Sequence, residues 1–435
     1  MSDGIKKVAS GWLRRTARSS GALARFAAGS LLGGPGAGDA KALVASMGQM
    51  KGLLMKMGQT LSYMDLYLPD EVREVLAELQ DTSLGMDPDA ASAVVEAELG
   101  RPPTQVFAQW DPEPFAAASI GQVHRARLHD PDGRAVAVKI QYPGVREAIE
   151  TDLLNAKVVG RMKAVIFRGM DMPGMEIELR DRLLEECDYV REAESGELFG
   201  QLFADNPDVI VPAPVRELCT ERVLVAELQP GLRFADFQAA ASPAARQAAS
   251  EVIHDFSYVS IFQHGVFNAD PHPGNYLFPD MEAGRPVVFL DFGCVKRFPP
   301  EMLQTWTDLC RAVFEQDRER FRERVIALGF APNPRSYDFD AHWQMCVYLL
   351  RPWLASTPPF EWTHDYVRES FRWLIFDNPN KFKVNVPPDF VFANRLQWGL
   401  HSVLAALAPP PADWRTRFLD LLYAEGADRP APFSV

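Results

Sequence analysis

Asp270 and Asn275 stand five residues apart in the run Phe267-Asn268-Ala269-Asp270-Pro271-His272-Pro273-Gly274-Asn275, and Asp291-Phe292-Gly293 begins sixteen residues later. Two prolines flank His272 and fix φ on both sides of it, which stiffens the loop. The apolar run Val287-Val288-Phe289-Leu290 leads directly into Asp291, so that carboxylate is expected at the end of a strand. One carboxylate facing a nucleophile, with an amide oxygen and a second carboxylate on Mg²⁺, is what a phosphoryl-transfer centre requires. The plainer alternative is a structural turn followed by an unrelated edge strand.

The elements that must hold these residues divide the chain into a strand-rich front and a helical back. Leu31 to Gly38 is a glycine-rich break, and residues 40–66 read as one helix carrying Gly48, Gly52 and Gly58. Each glycine costs about 1 kcal/mol relative to alanine in a helix, so three of them point to close approach of another backbone. A helix pair at 70–80 and 87–100 follows, the second opened by Asp87-Pro88. Val123 to Leu128 alternates, Asp130-Pro131-Asp132-Gly133 turns, and Ala135 to Ile140 returns antiparallel. Residues 145–167 and 175–203 are helical by period, with strands at Val209–Val215 and Arg222–Leu228. After these the chain reads as helical except for a hairpin of Asn275–Phe278 with Val287–Phe292. The order is that of an α+β bilobal fold.

At 435 residues, with 47% hydrophobic and 24% charged residues, the chain has the composition of a globular protein with one large core or two to three domains. The net charge of −13 is uneven: Lys6, Lys7, Arg14, Arg15, Arg18 and Arg25 against Asp3 give residues 1–35 a local +5. The acidic remainder argues against nucleic-acid binding. Residues 1–35 fit an amphipathic helix at an anionic membrane surface, a mitochondrial presequence, or a solvated terminus. Five scattered cysteines without a CxxC pair argue for a reducing compartment with neither a disulfide framework nor a zinc site. The stretch Leu396 to Ala408 is too short to span a bilayer. The expected location is cytoplasmic, peripheral to a membrane at most.

A second group of residues suits a nucleotide. Ala116-Ala117-Ala118-Ser119-Ile120-Gly121-Gln122-Val123 stands where a kinase glycine-rich loop reads G-x-G-x-x-G-x-V. Gly121 and Val123 are kept, while Ala116 and Ala118 replace the first two glycines and restrict how closely backbone amides approach phosphates. Lys139 ends Val-Ala-Val-Lys and is expected to hold the α- and β-phosphates, a helix carboxylate fixing its ammonium. Glu185, Glu186, Asp188, Glu192 and Glu194 are the available carboxylates. Asp188 and Glu192 are i,i+4 neighbours, whereas Glu186 and Glu192 lie about 120° apart on a regular helix. Either a second cation faces Glu186, or that carboxylate is solvated.

Taken in order, Lys56-Met57-Gly58-Gln59, the alanine loop, Lys139, Glu186-Cys187-Asp188, Asn268-Ala269-Asp270-Pro271-His272-Pro273-Gly274-Asn275 and Asp291-Phe292-Gly293 closely resemble the UbiB/AarF/ADCK-like atypical kinases. The resemblance runs from about residue 40 to 300 and is weaker through Pro387–Leu407. It implies a basic N-terminal segment at 1–38, a helical extension covering the active site at 39–104, a kinase-like N-lobe at 105–228 and a helical C-lobe and tail at 229–435. It further implies ATP (or ADP) and Mg²⁺ as cofactors, with no other metal. In the family's pattern Asp270 takes the catalytic-base position, Asn275 and Asp291 the Mg²⁺ positions, and Glu192 pairs with Lys139. Lys56 would contact Glu186 and Asp188, and Gln59 would point into the nucleotide site. Glu227 and Leu228 would offer backbone groups to adenine, and His272 would shape the loop.

The implied activity is that of an ATPase or a kinase of a small or lipid-like molecule, with a link to quinone or lipid metabolism. A nucleotide-binding regulatory pseudokinase and a protein kinase are the alternatives. Asn-Ala before Asp270 departs from the His-Arg of ordinary kinases, removing an arginine that reads activation-loop phosphorylation. The family's ubiquinone-linked bacterial members carry C-terminal membrane helices, and this sequence shows none, which puts a quinone-membrane role in doubt.

Overall fold

The computed structural model describes residues 86–149 and 184–432, apart from 119, 148, 355–358, 376 and 424–426. Lys56, Gln59 and Ser119, the helices expected at 40–66 and 70–80, most of that at 145–167 and the first part, 175–183, of that at 175–203 lie outside the described residues. Two compact units emerge, one of residues 86–129 and 138–149, the other of 130–137 and 184–432.

The first unit opens with α1 (Pro88–Leu99), as Asp87-Pro88 implied. The Asp87 carboxylate accepts from the Asp89 N–H at 2.9 Å, Pro88 takes the first turn, and Gly100 closes the helix at φ 71°. After α2 (Pro103–Val106) come β1 (Gln109–Trp110), β2 (Ala116–Ala118), β3 (Gly121–Arg127) and β4 (Ala135–Gln141). β3 lies between β1 and β4, with β2 also paired to it. Alternation decides which face is core: Gln122, His124 and Ala126 are buried, whereas Arg125 and Arg127 are exposed. In β4, Val136, Val138 and Ile140 are fully buried and the half-buried Lys139 projects from the other face. Two of its buried polar side chains are held by backbone groups of the unit. The Gln122 carboxamide accepts from the Met86 N–H at 2.6 Å, and His124 Nδ1 meets the Asp111 carbonyl at 3.0 Å. Burial pushes the His124 pKa down, so this core imidazole is neutral.

In the second unit, α3 (Tyr189–Leu202) leads to β5 (Val209–Ile210), β6 (Val223–Glu227), β7 (Leu232–Arg233) and α4 (Phe234–Ala240). The long α5 (Pro243–Phe262) precedes β8 (Val266–Asn268), β9 (Tyr276–Phe278), β10 (Val287–Phe289) and β11 (Val295–Arg297). Helices α6 (Pro300–Phe314), α7 (Arg318–Ala327), α8 (Phe339–Leu354), α9 (His364–Ile375), α10 (Pro388–Leu407) and α11 (Arg415–Leu422) complete it. The expected hairpin is present as β9 and β10, with Val288 opposite Leu277 and Phe289 opposite Tyr276.

Two expectations need correction. The strand expected at Val209–Val215 is divided: β5 pairs in parallel with β10 in a sheet of order β5-β10-β9-β7, while Pro214 bridges Ala226 of β6, with the Val215 N–H donating to the Val225 carbonyl at 2.8 Å. A short apolar run does not reveal its partner. The helix read through 175–203 is interrupted at Glu186–Asp188: residues 184–185 are helical, the chain turns, and α3 begins at Tyr189. Asp188 is the cap of α3, its carboxylate accepting from the Val190 and Arg191 N–H groups at 3.1 and 3.3 Å. A residue that can cap competes with helix continuation, which the periodicity alone concealed.

Candidate functional site

Two short strands bring the loop of Asp270 beside Asp291. β8 delivers Asn268-Ala269-Asp270, β11 follows Asp291-Phe292-Gly293, and they pair antiparallel with Asn268 opposite Val295. The Ala269 N–H donates to the Cys294 carbonyl at 2.7 Å, extending the ladder by a rung. Beyond Asp270 the chain makes one 3₁₀ turn, Pro273–Asn275. His272 caps it, Nδ1 accepting from the Gly274 N–H at 3.0 Å, so the imidazole shapes the loop as expected. Asn275 Nδ2 donates to the Asp270 carbonyl at 2.9 Å, and the Asn275 carbonyl accepts from the Leu290 N–H at 3.0 Å. Its donor side thus held, the Asn275 amide has its oxygen to offer elsewhere.

Asp270, Asn275 and Asp291 line a single recess, together with Asn268, Tyr276 and residues of α5 and β10. Asp270 is buried, at 5% exposure. Its neighbour Tyr276 is fully enclosed, and burial, reinforced by the Asp270 charge, pushes the phenol well above its usual pKa. Tyr276 is therefore a neutral wall.

Asn268 contributes a role that sequence reasoning did not read. Its Oδ1 accepts from the Asp270 N–H at 3.2 Å while its Nδ2 donates to the Asp291 carbonyl, so one amide joins the two acidic segments. The available signal was its type: a carboxamide carries donor and acceptor together, two residues before Asp270.

α3 braces Asp291-Phe292-Gly293 from the other side. Glu192, Gly196 and Phe199 recur at i, i+4 and i+7 and form one face of the helix. Phe292 packs there, 5.0 Å from the Phe199 ring between centroids. A Cβ built on Gly196 would already lie 3.8 Å from Phe292, so the small residue admits the ring. The Asp291 carboxylate accepts from the Gly293 N–H at 2.9 Å. A Cβ on Gly293 would lie 3.2 Å from Asp291 Oδ1 and 3.5 Å from Glu192 Oε2, so both carboxylates flank that glycine. Glu186 is buried at 9% exposure, which removes the alternative of a solvated carboxylate there.

The remaining predicted residues are placed as follows. Ala116, Ala117 and Ala118 form β2 and pair with Val123, Gln122 and Gly121, so the alanine run is one arm of a tight hairpin. The hairpin and Lys139 belong to the first unit, and Glu186, Asp188, Glu192, Glu227 and Leu228 to the second. The N–H groups of Glu227 and Leu228 are both engaged, by the carbonyls of Ala213 and Ala135 at 3.0 Å each. Gly231, just beyond, lies where a Cβ would come within 3.0 Å of Leu277 Cβ and 3.1 Å of the Phe278 N, so only glycine lets β7 close onto β9.

One amide oxygen and one carboxylate make a sparse metal set. Among the described residues no cluster of three or more His, Cys, Asp or Glu side chains is placed to hold a metal ion. The Asn275 amide oxygen and the Asp291 carboxylate fit what Mg²⁺ asks of a protein, one or two oxygens, with phosphates and water supplying the rest. Nor is any helix among the described residues long and apolar enough to cross a membrane.

The family described as ABC1 atypical kinase-like domain matches residues 78–325, more than half of the chain. The chain is 32% identical over 320 residues to "Atypical kinase COQ8B, mitochondrial" of Rattus norvegicus, covering 73% of this chain and 60% of that one. Against "Protein ACTIVITY OF BC1 COMPLEX KINASE 8, chloroplastic" of Arabidopsis thaliana it is 33% identical over 281 residues, covering 63% and 36%. The chain thus spans less than two thirds of the length of these relatives, and the organelles named are theirs. Among solved structures, Rv3197 of Mycobacterium tuberculosis, in complex with erythromycin, superposes with a TM-score of 0.57 at 27% identity, covering 83% of this chain and 90% of that one.

Proposed function

Because the chain belongs to the ABC1 atypical kinase-like family and has its α+β kinase-like fold, we propose that it is an ATP-binding, Mg²⁺-dependent atypical kinase, working as an ATPase or on a small or lipid-like acceptor. The observation that carries this reading is the recess in which Asp270, Asn275 and Asp291 converge, joined by the Asn268 amide.

In the proposed reaction the bond between the γ-phosphorus and the bridging oxygen of ATP breaks as the acceptor oxygen bonds to that phosphorus. The acceptor's proton passes to the Asp270 carboxylate, and ADP leaves. Mg²⁺ held by Asn275 and Asp291 would neutralise the phosphate charge. By the family's pattern, Lys139 would hold the α- and β-phosphates and Glu192 would fix its ammonium. The carbonyls of Glu227 and Leu228 face the adenine amino group.

A peptide acceptor is disfavoured by the chain that follows Gly293. Residues 294–299 alone separate it from α6, and they are occupied by β11 and by Phe298 stacked 4.8 Å from Phe267. No length remains for a loop that could be phosphorylated or could seat a peptide. The acceptor is better sought among lipid-like molecules of the quinone kind, or is water. A regulatory pseudokinase is disfavoured by the retention of Asp270, Asn275, Asp291 and Lys139 together.

The test is Mg²⁺-dependent ATP hydrolysis by the purified chain, with and without anionic lipid or a quinone precursor, beside Asp291→Asn. Turnover that Asp291→Asn abolishes is the expected result. Nucleotide binding without turnover under every condition would overturn the enzyme reading in favour of the regulatory one.

A further inference from the structure

A second opening in the second unit lies behind the recess, on the far side of α5. It is a cavity of about 90 Å³ enclosed by α5, α6, α8, α10 and α11. Aromatic rings and aliphatic side chains form nearly all of its wall. The polar atoms of two wall residues are already committed elsewhere. The Tyr258 hydroxyl is paired with His401 Nε2 at 3.1 Å, and Trp353 Nε1 donates to His254 Nε2 at 3.0 Å. The thiols of Cys310 and Cys346 add polarisable surface without charge: burial pushes Cys310 up to about 12 and raises Cys346 as well. The Gln397 amide is the principal polar group remaining.

Such a wall has little use for water, which needs two to four polar partners to enter a cavity. An empty space would forfeit dispersion contacts on every side. The wall is not sealed: Phe262, Trp306, Cys346, Leu349, Leu350 and Gln397 are all half-buried. We infer that this cavity is a binding site for an uncharged, largely apolar small molecule, or the end of one, of the bulk of a single ring with at most a short alkyl chain.

The site is separate from the phosphoryl-transfer recess but shares a helix with it. Phe256 and Ser257 of α5 line the recess, while Tyr258, Ile261 and Phe262 line the cavity. Successive helical residues are turned by about 100°, so one turn of α5 presents side chains to both. A ligand in the cavity therefore presses on the helix that walls Asp270.

Toluene serves as the probe, and benzylamine, of similar shape but cationic, as its control. Toluene is expected to raise the Tm of the full chain by about 2 °C or more and to slow hydrogen exchange of the α5 amides, whereas benzylamine does neither. Ala393→Leu and, from the opposite wall, Cys346→Leu fill the space and are each expected to abolish the toluene effect. No stabilisation of the wild type by toluene up to its solubility limit overturns the inference. Equal stabilisation of wild type and of whichever filled variant folds overturns it too. Neither readout depends on ATP turnover, so this test and that of the proposed activity fail independently.

Discussion

Asn268 offers the sharpest test of how the centre is assembled, because one amide makes two bonds of opposite polarity. Asn268→Ala removes the acceptor of the Asp270 N–H and the donor to the Asp291 carbonyl together. Each half-buried group left without its partner costs about 1–3 kcal/mol, and about 2–4 kcal/mol is a reasonable sum for a site that water partly reaches. In a unit of this size that is a fall in Tm of roughly 5–10 °C. Asn268→Asp differs in kind. It keeps an acceptor for Asp270 but turns an anion on the Asp291 carbonyl, and it adds a third carboxylate to a recess that holds Asp270 and Asp291. Without Mg²⁺ it should be at least as destabilised as the alanine variant, since like charges crowded together resist ionising together. With millimolar Mg²⁺ the aspartate variant should recover part of its deficit, and the alanine variant should not. Thermal melts of wild type and both variants, with EDTA or with Mg²⁺, measure this directly. If both variants melt with the wild type, the bridge has no structural weight. If Mg²⁺ moves the two variants equally, the side chain at 268 does not face the proposed Mg²⁺ position at Asp291.

Three further outcomes are expected. Phe292→Ala empties the contact with Gly196 and Phe199 and should cost about 3–5 kcal/mol of stability, against a much smaller loss for Phe292→Leu, read from urea midpoints. Gly284→Ala puts a Cβ 2.0 Å from the Ala245 carbonyl oxygen at φ 71° and should lose about 3 kcal/mol or more, whereas Gly133→Ala, at φ 55° with open space around it, should lose only the smaller cost of backbone strain. Burial holds His342 down at about 4 and His401 at about 3, and lowers His254 too. The unfolded chain takes up these protons near pH 6.5 and the folded one does not. Stability is therefore fully present above about 6.5 and is lost as the pH falls towards 4, by up to about 1.4 kcal/mol per pH unit for each histidine. Urea midpoints that stay flat across that range would contradict the burial of these imidazoles.

Much of the site was legible because its parts are local. The turn at Pro273–Asn275, the β9–β10 hairpin, the Asp87 cap and the β3–β4 alternation each depend on residues a few positions apart. The alanine hairpin pairs Ala116 with Val123 and Ala118 with Gly121, and type and spacing sufficed to place it. Other features were not legible, for identifiable reasons. Val209 and Ile210 carry no mark of choosing β10, 78 positions on by the Val209–Val287 register, over the front strands. The helical period ran through Glu186 to Asp188 because periodicity does not register a side chain that caps instead of continuing.

By itself the sequence determined which groups can do chemistry: a base candidate, an amide oxygen and a carboxylate for Mg²⁺, a strand lysine, and a stiff loop to carry the first two. Their identities and short-range geometry are chemical facts about neighbouring residues. Only the tertiary structure decided what holds them. Asn268 can bridge Asp270 and Asp291 because β8 lies against β11, and Phe292 can rest on Gly196 and Phe199 because α3 turns that face towards it. The cavity behind α5 exists only where five helices from distant parts of the chain fail to fill the space between them. Contacts of that kind depend on the packing of distant elements, which composition, periodicity and motif spacing do not encode.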